Sequence, residues 1–434
     1  MPTKIDAPDA GLGAPGARAW VVLIMLCFVY VLNFLDRSLL SILAKPIQDT
    51  LHITDGQLGL IGGLYFAIFY CFISIPVGWI ADKTNRSWVL AIACALWSAA
   101  TLACGFAANY PQLVVARMTV GVGEAGGVPP SYAIISDYFP PGGRGTALGI
   151  YNLGPGIGAA LGVAFGASIA ATYSWRDAFI VLGSVGVFAA LFIVSIVREP
   201  VRGGLDAADA VTIPKSDFGA TLKMFFSRPA LVLAALGSGA TQIVTYGAGG
   251  FATLLLMREK GMTLKEVAVW YALVLVVSTS AGIFVSGRVI DRFAKRYKPA
   301  YALAPAISLL LAVPFFIGFV WSPSWQMALA YLLGPNFLNF FYLSSSVALV
   351  QEEVRPDQRV LSGALLLLIM NLIGMGAGPT FVGWMSDHLH AAHPHNSLQL
   401  AYYTLVPFYA VAIVLFLCLA RVLRREQHST GAPR

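Results

Sequence analysis

Four ionisable residues stand inside stretches that are otherwise apolar: Asp36 and Arg37 in the first, Arg117 and Glu124 in the fourth. If those stretches cross a bilayer, each such group costs roughly 2.5 to 3.5 kcal/mol at mid-membrane, so each must face protein or a water-filled cavity. Arg117 and Glu124 are seven residues apart, just under two helical turns. They therefore share one face, about 10 Å apart along the axis. Asp36 and Arg37 are neighbours, about 100° apart around a helix, so one faces a cavity while the other packs against an adjacent helix. The expectation here is that Asp36 faces the cavity beside Arg117, with Asn33 one turn below as its hydrogen-bond partner. A purely structural salt bridge is the alternative, although buried pairs are a weak source of net stability.

Chemistry that moves protons needs a group that titrates. The six histidines (His52, His388, His390, His393, His395 and His428) all fall outside the apolar stretches. Asp36 and Glu124 are the remaining candidates, because burial and a nearby arginine push a carboxylate in opposite senses and the balance can shift as a cavity opens and closes. In this scheme Arg117 holds an anionic head group, Asp36 competes for it, and protonating Asp36 frees Arg117.

The second half of the chain carries neutral polar groups at comparable depth: Gln242, Thr245, Tyr246, Asn336, Asn339, Tyr342 and Asn371. The cavity should then have two faces. Charge is read by Arg117, Arg37 and Asn33, and the other wall presents Gln242, Tyr246 and Asn336. Tyr65, Phe66, Phe69, Phe337, Phe340 and Phe341 offer room for an apolar tail.

The elements that must position these residues are membrane helices. The 434 residues are 58% hydrophobic and only 11% charged, far outside the range of soluble domains. Each crossing of a hydrocarbon core takes about 20 apolar residues. Apolar windows predict helices near 19–43, 57–81, 88–108, 111–138, 145–171 and 175–197. Six more are predicted near 229–257, 264–290, 299–320, 324–351, 359–385 and 397–423. The expected fold class is thus all-α, with twelve transmembrane helices in two six-helix halves, 19–197 and 229–423. Around them lie a disordered N-terminus (1–18), a polar linker (198–228) and a tail (424–434).

Apart from Arg37 and Arg117, only Lys45, Arg176, Arg258, Lys260 and Lys265 of the 28 Lys and Arg fall on one side of these spans; the rest fall on the side holding both termini. Positive charge is retained in the cytoplasm, so termini, linker and tail are expected there. The net charge of +7 needs no nucleic-acid partner. Cys27, Cys71, Cys94, Cys104 and Cys418 lie in apolar runs without metal-site or disulfide spacing.

Short signatures recur between the halves. Gly78, Asp82 and Arg86 follow the second span, and Gly287, Asp291 and Lys295 follow the eighth, each 209 residues on. Pro141 and Arg144 recur as Pro356 and Arg359, both 215 residues on. Internal repeats of this kind place a substrate site between two halves.

Gly78 to Arg86 resembles the loop motif between spans two and three of the major facilitator superfamily, and Arg117 to Glu124 resembles its span-four motif. More narrowly, Asn33-x-x-Asp36-Arg37 with Val120 to Ala125 is similar to the spinster-like family, as are Asn85-Arg86 and Trp97-Ser98. The organic anion:cation symporter family shares the Asp-Arg and Glu-Ala elements. The resemblance implies a proton-linked carrier of lipid-like anions, such as lysophospholipids or sphingoid phosphates; alternating access by a monomer is the expectation. It also implies that Gly78, Asp82, Arg86, Arg144, Asp291 and Lys295 form a cytoplasmic gate that holds the halves together in the outward-facing state.

Other classes fit less well. No phosphate-binding Gly-x-x-x-x-Gly-Lys-Ser/Thr loop is present, so ATP is not the evident energy source; the resemblance implies a proton gradient instead, and no cofactor or metal is expected. A small-carboxylate symporter and a non-transporting receptor on the same scaffold are the alternatives. An enzyme is not expected, since no nucleophile and base stand in persuasive spacing. Short loops suit a bacterial inner membrane.

Overall fold

The computed structural model describes residues 16–200, 218–294, 296–355 and 358–429. The expectation of a disordered start falls almost wholly outside these residues, as do Lys295 and Pro356.

Apolar sequence becomes helix wherever polar caps and Pro or Gly do not interrupt it. In the first half α1 (Ala17–Ile42) leads through the short α2 (Ala44–Leu51) to α3 (Asp55–Gly62). Thr54 and Gln57 form a reciprocal capping box at the start of α3, satisfying two backbone donors that a helix start leaves free. A kink at Gly63 then leads into α4 (Leu64–Lys83). Next come α5 (Arg86–Gly105), α6 (Tyr110–Glu124), α7 (Val128–Tyr138), α8 (Pro141–Tyr151), α9 (Gly154–Thr172) and α10 (Trp175–Ile196). Asn85 and Asn109 cap α5 and α6 by accepting from Trp88 and Gln112.

The second half comprises α12 (Pro229–Arg258), α13 (Leu264–Glu266) running through a π turn into α14 (Ala272–Phe293), α15 (Ala300–Trp321), α16 (Trp325–Leu338), α17 (Phe341–Glu353), α18 (Arg359–His390), α19 (Ser397–Tyr403) and α20 (Val406–Ser429). Between the halves the polar linker contains an unexpected helix, α11 (Phe218–Ser227). It forms because Thr221 and Phe225 find burial against α12 and α18. The expected tail also differs, since α20 continues through 424–429.

Ten helices among the described residues are long and apolar enough to cross a membrane. The expected spans at 111–138 and 324–351 are each broken in two, α6 and α7 at Ala125 to Gly127, α16 and α17 at Asn339 and Phe340. The breaks occupy equivalent places in the two halves. Interrupted helices of this kind are tolerated at membrane depth only where protein or a wet cavity takes up the freed backbone groups.

Helices within each half approach closely through small residues, as membrane packing favours. A Cβ at Gly183 of α10 would lie 2.5 Å from the Leu102 nitrogen of α5, and one at Gly374 of α18 would lie 2.0 Å from the Gln242 Cβ of α12. The outer faces show Phe188, Leu191, Phe192, Leu310 and Trp321, the surface that lipid would cover.

The two halves meet unevenly. At the end away from the chain termini, backbone lies on backbone: a Cβ at Gly59 would fall 2.4 Å from the Pro379 carbonyl oxygen, and one at Gly383 would fall 2.2 Å from that of Asp55. At the termini end, a Cβ at Gly78 or Gly287 would meet nothing within 4 Å.

Candidate functional site

The four membrane-depth charges converge as two ion pairs linking α1 to α6. Arg117 Nη1 donates to Asp36 Oδ1 at 3.3 Å, and Arg37 Nε donates to Glu124 Oε2 at 2.5 Å. Because Asp36 and Arg37 point about 100° apart on α1, the pairs occupy different surroundings. Asp36 turns inward toward α5, where Thr101 Oγ1 donates to its Oδ2 at 2.5 Å. The side chains of Asp36 and Arg117 are 2% and 3% exposed, whereas that of Arg37 is 16% exposed. The expected facing of α1 is thereby corrected: Arg37, not Asp36, keeps an opening. The rotation of α1 that places Asp36 against Thr101 leaves its neighbour on the other side.

Arg37 stands in an aromatic surround. Its guanidinium carbon lies 4.9 Å from the ring centroid of Phe34, 5.3 Å from Phe66 and 4.5 Å from Tyr70, distances at which the ring quadrupoles attract a cation. Tyr246 of α12 comes within electrostatic range of Arg37, so the second half reaches this group. Tyr30 stacks on Tyr151 at 4.4 Å, and Tyr132 meets Tyr151 edge-on at 5.5 Å while donating its hydroxyl to Asn152.

Asn33 is buried, but its Oδ1 finds no partner. Thr101, not the Asn33 amide, is the neutral side-chain hydrogen-bond partner of Asp36. In the second half Gln242 is buried under α18 with its Oε1 unpartnered, and the buried Nδ2 of Asn336 is likewise unpartnered. Phe340 sits at the break before α17. Tyr65 and Phe69 are partly buried, while Phe66 and Phe341 are core residues, which removes two rings from the expected apolar wall. A cavity of about 10 Å³, bordered by Asp36, Trp97, Ser98 and Thr101, is about the room one water needs.

The motif residues at the termini end brace their own halves. Arg86 pairs with Asp137 at 2.5 Å and lies 3.9 Å from Asp82. Arg144 donates to the carbonyls of Ser136 and Phe139, and its counterpart Arg359 to that of Gln351. Asp291 acts electrostatically on Tyr301, whose hydroxyl donates to Glu352 at 2.5 Å. Lys298 bridges Glu353 at 2.5 Å and Glu426 at 3.5 Å. Burial disfavours its ammonium, but these carboxylates outweigh that and hold its pKa above the ordinary value.

A polar contact that the sequence reading missed joins the halves at the opposite end. Asp55, at the start of α3, accepts two bonds from Arg258 at 3.1 and 2.8 Å, one from Ser386 at 2.6 Å and one from Gln48 at 2.7 Å. Nearby, the Gly56 nitrogen donates to Asp387 and the Leu64 nitrogen to Thr380. Arg258 and Asp55 lie 203 positions apart, and each reads in isolation as an ordinary loop charge.

Comparison with known proteins agrees with this geometry. The family model described as Major Facilitator Superfamily matches residues 26–371. An MFS-type efflux pump of Mycolicibacterium smegmatis is 31% identical over 397 residues, covering 89% of this chain and 90% of that one. Protein spinster homolog 1 of Rattus norvegicus is 26% identical, covering 96% and 81%. Among solved structures, a bacterial homolog to the human lysosomal transporter spinster, in an inward-facing and unoccupied conformation, superposes with a TM-score of 0.87 at 28% identity, covering 94% of this chain and 98% of that one. A structure of a bacterial spinster homolog in an inward-facing and occupied conformation gives 0.82 at 29% identity, covering 95% and 99%. With its apolar helices, paired membrane-depth charges and likeness to spinster proteins, the chain is an integral multi-pass membrane transporter that belongs to the Major Facilitator Superfamily.

Proposed function

We propose that this protein is a proton-coupled secondary carrier of an amphipathic organic anion, of lysophospholipid or sphingoid-phosphate type, working by alternating access in a bacterial inner membrane. We place its termini in the cytoplasm, and an inward-facing reading is then supported by the open space at Gly78 and Gly287 and the interlocked Gly59 and Gly383 at the opposite end. The observation that carries the reading is the pair of adjacent ion bridges on α1, one sealed (Asp36 with Arg117) and one partly open (Arg37 with Glu124). Arg37 meets the anionic head of the substrate, in competition with Glu124. Asp36 carries the proton, and its charge state sets how firmly Arg117 holds α1 to α6. Tyr246, Gln242 and Asn336 contribute from the second half, and the partly buried Tyr65, Phe69 and Phe340 contact the apolar portion. The gate residues Gly78, Asp82, Arg86, Arg144 and Asp291 engage across the halves when the termini end closes.

A carrier of small carboxylates is the second reading, favoured by the burial of Phe66 and Phe341, which leaves less wall for a long chain. The test is pH-gradient-driven flux in proteoliposomes with a lysophospholipid, a sphingoid phosphate and a small aromatic or sugar acid side by side. Gradient-dependent uptake of a lipid-like anion supports the first reading, and uptake of the small acid alone supports the second. Gradient-independent flux of all three would overturn the coupling.

A further inference from the structure

Thr101 lies on α5, fully enclosed at 1% exposure. Its Oγ1 is within hydrogen-bond distance of two acceptors, Asp36 Oδ2 at 2.5 Å and the Trp97 carbonyl oxygen at 2.9 Å. A hydroxyl has one hydrogen and two lone pairs, so it donates to only one of them at a time. Back-bonding to the carbonyl four residues earlier is commonplace for threonine in a helix and taken alone would imply no role. The carboxylate oxygen changes that. If the hydrogen points to Trp97 while Asp36 is ionised, two electron-rich oxygens face each other at 2.5 Å with nothing between them. If Asp36 is protonated on Oδ2, the acid donates to Thr101 and the hydroxyl hydrogen is free to turn to Trp97. Each charge state of Asp36 therefore has its own complete arrangement, and the two differ by the proton on Oδ2 and by rotation of the Thr101 hydroxyl about one bond.

We infer that Thr101 is a positioning residue whose hydroxyl serves Asp36 as donor when the carboxylate is ionised and as acceptor when it is protonated, so that a sealed carboxyl can hold both states. The inference rests on the reading of Asp36 as the proton carrier. It adds a partner that neither the motifs nor the ion pairs assign. The charged and titratable groups around Asp36 are Arg117 and Glu124 from α6, Arg37 from α1 and Cys104 from α5, and α10 closes the site with Leu182, Gly183 and Gly186. Arg117 reaches Oδ1, which leaves Oδ2 to Thr101.

Infrared difference spectra of the full chain in lipid nanodiscs, recorded across a pH titration, test this without a known substrate. The wild-type protein should show a carboxylic acid C=O band that disappears in Asp36→Asn. In Thr101→Val, which keeps the shape and removes the hydroxyl, that band should shift to the frequency of a weakly bonded acid. Its midpoint should move by about one pH unit, because a bond to a charged acceptor is worth more than one to a neutral acid. Thr101→Ser should restore both. A band assigned to Asp36 that keeps its frequency and midpoint in Thr101→Val would overturn the role of Thr101 and leave the proton carrier standing. A titration in which Asp36→Asn changes nothing would overturn both.

Discussion

Arg258 of the second half places both arms of its guanidinium on the Asp55 carboxylate of the first, and the Ser386 hydroxyl closes on the same group at 2.6 Å. This contact crosses between the halves at the end where their glycines interlock, so separating that end must break it. Asp55→Asn removes the negative charge and one of the two acceptor oxygens, so Arg258 keeps at most one of its two bonds. With Arg258 partly open to solvent, the loss is about 1 to 2 kcal/mol, a factor of about 5 to 30 in the ratio of the two states. Electron-spin distance measurements between labels on α2 and α19 should show a longer-distance population growing by that factor, and an unchanged distribution would remove Asp55 from the seal.

Asp36→Asn should uncouple transport from the proton gradient. Accumulation against a substrate gradient should fall at least about tenfold, the effect of 1.4 kcal/mol, while gradient-free exchange in the same proteoliposomes persists. Retention of gradient-driven accumulation would place the proton elsewhere.

The Arg37 and Glu124 pair should respond asymmetrically. Glu124→Gln leaves Arg37 a neutral amide oxygen and its aromatic surround in place of a carboxylate, and removing one charge of a buried pair costs up to about 3 to 5 kcal/mol, discounted because Arg37 keeps some exposure and an acceptor. The variant should melt a few degrees lower in detergent. Arg37→Ala should weaken the apparent affinity for the anionic substrate by about tenfold or more, read as KM in initial-rate flux. Lowered melting in both variants with KM unchanged in Arg37→Ala would mark the pair as structural.

Glycines at the two ends should differ in their tolerance of a methyl group. Gly383→Ala would drive a Cβ toward the Asp55 carbonyl, an overpacking that costs about 1 to 3 kcal/mol, and should favour separation at that end. Gly78→Ala meets open space in this conformation and should leave the melting temperature unchanged. Cysteine accessibility at the two ends, measured in membranes, separates these outcomes.

Much of this was legible in the chain. Apolar windows located the helices because hydrocarbon thickness fixes their length, and the predicted bounds fall close to those of α1, α10, α12 and α15. The convergence of Asp36, Arg37, Arg117 and Glu124 was legible because charge is so expensive in such surroundings. The facing of α1 was not, since two adjacent residues offer two rotational settings and packing against α5 decides between them. Thr101 was hidden for another reason: a hydroxyl in an apolar run bonds to its own helix as readily as to a neighbour. The contact between Asp55 and Arg258 depends on how two halves lean together, and neither half encodes that alone.

The ionisable groups at membrane depth, Asp36, Arg37, Arg117 and Glu124, belong to one half, while the other offers amides and hydroxyls such as Gln242, Ser238 and Asn339. If the halves tilt, Arg37 and Arg117 each travel together with their carboxylates on the same body. The electrostatic work of reorientation is then small, because no isolated charge is dragged past hydrocarbon, and the sliding surface of the opposite body is electrically quiet. Such a division gathers the ionisable groups on one half and leaves the other as a neutral wall.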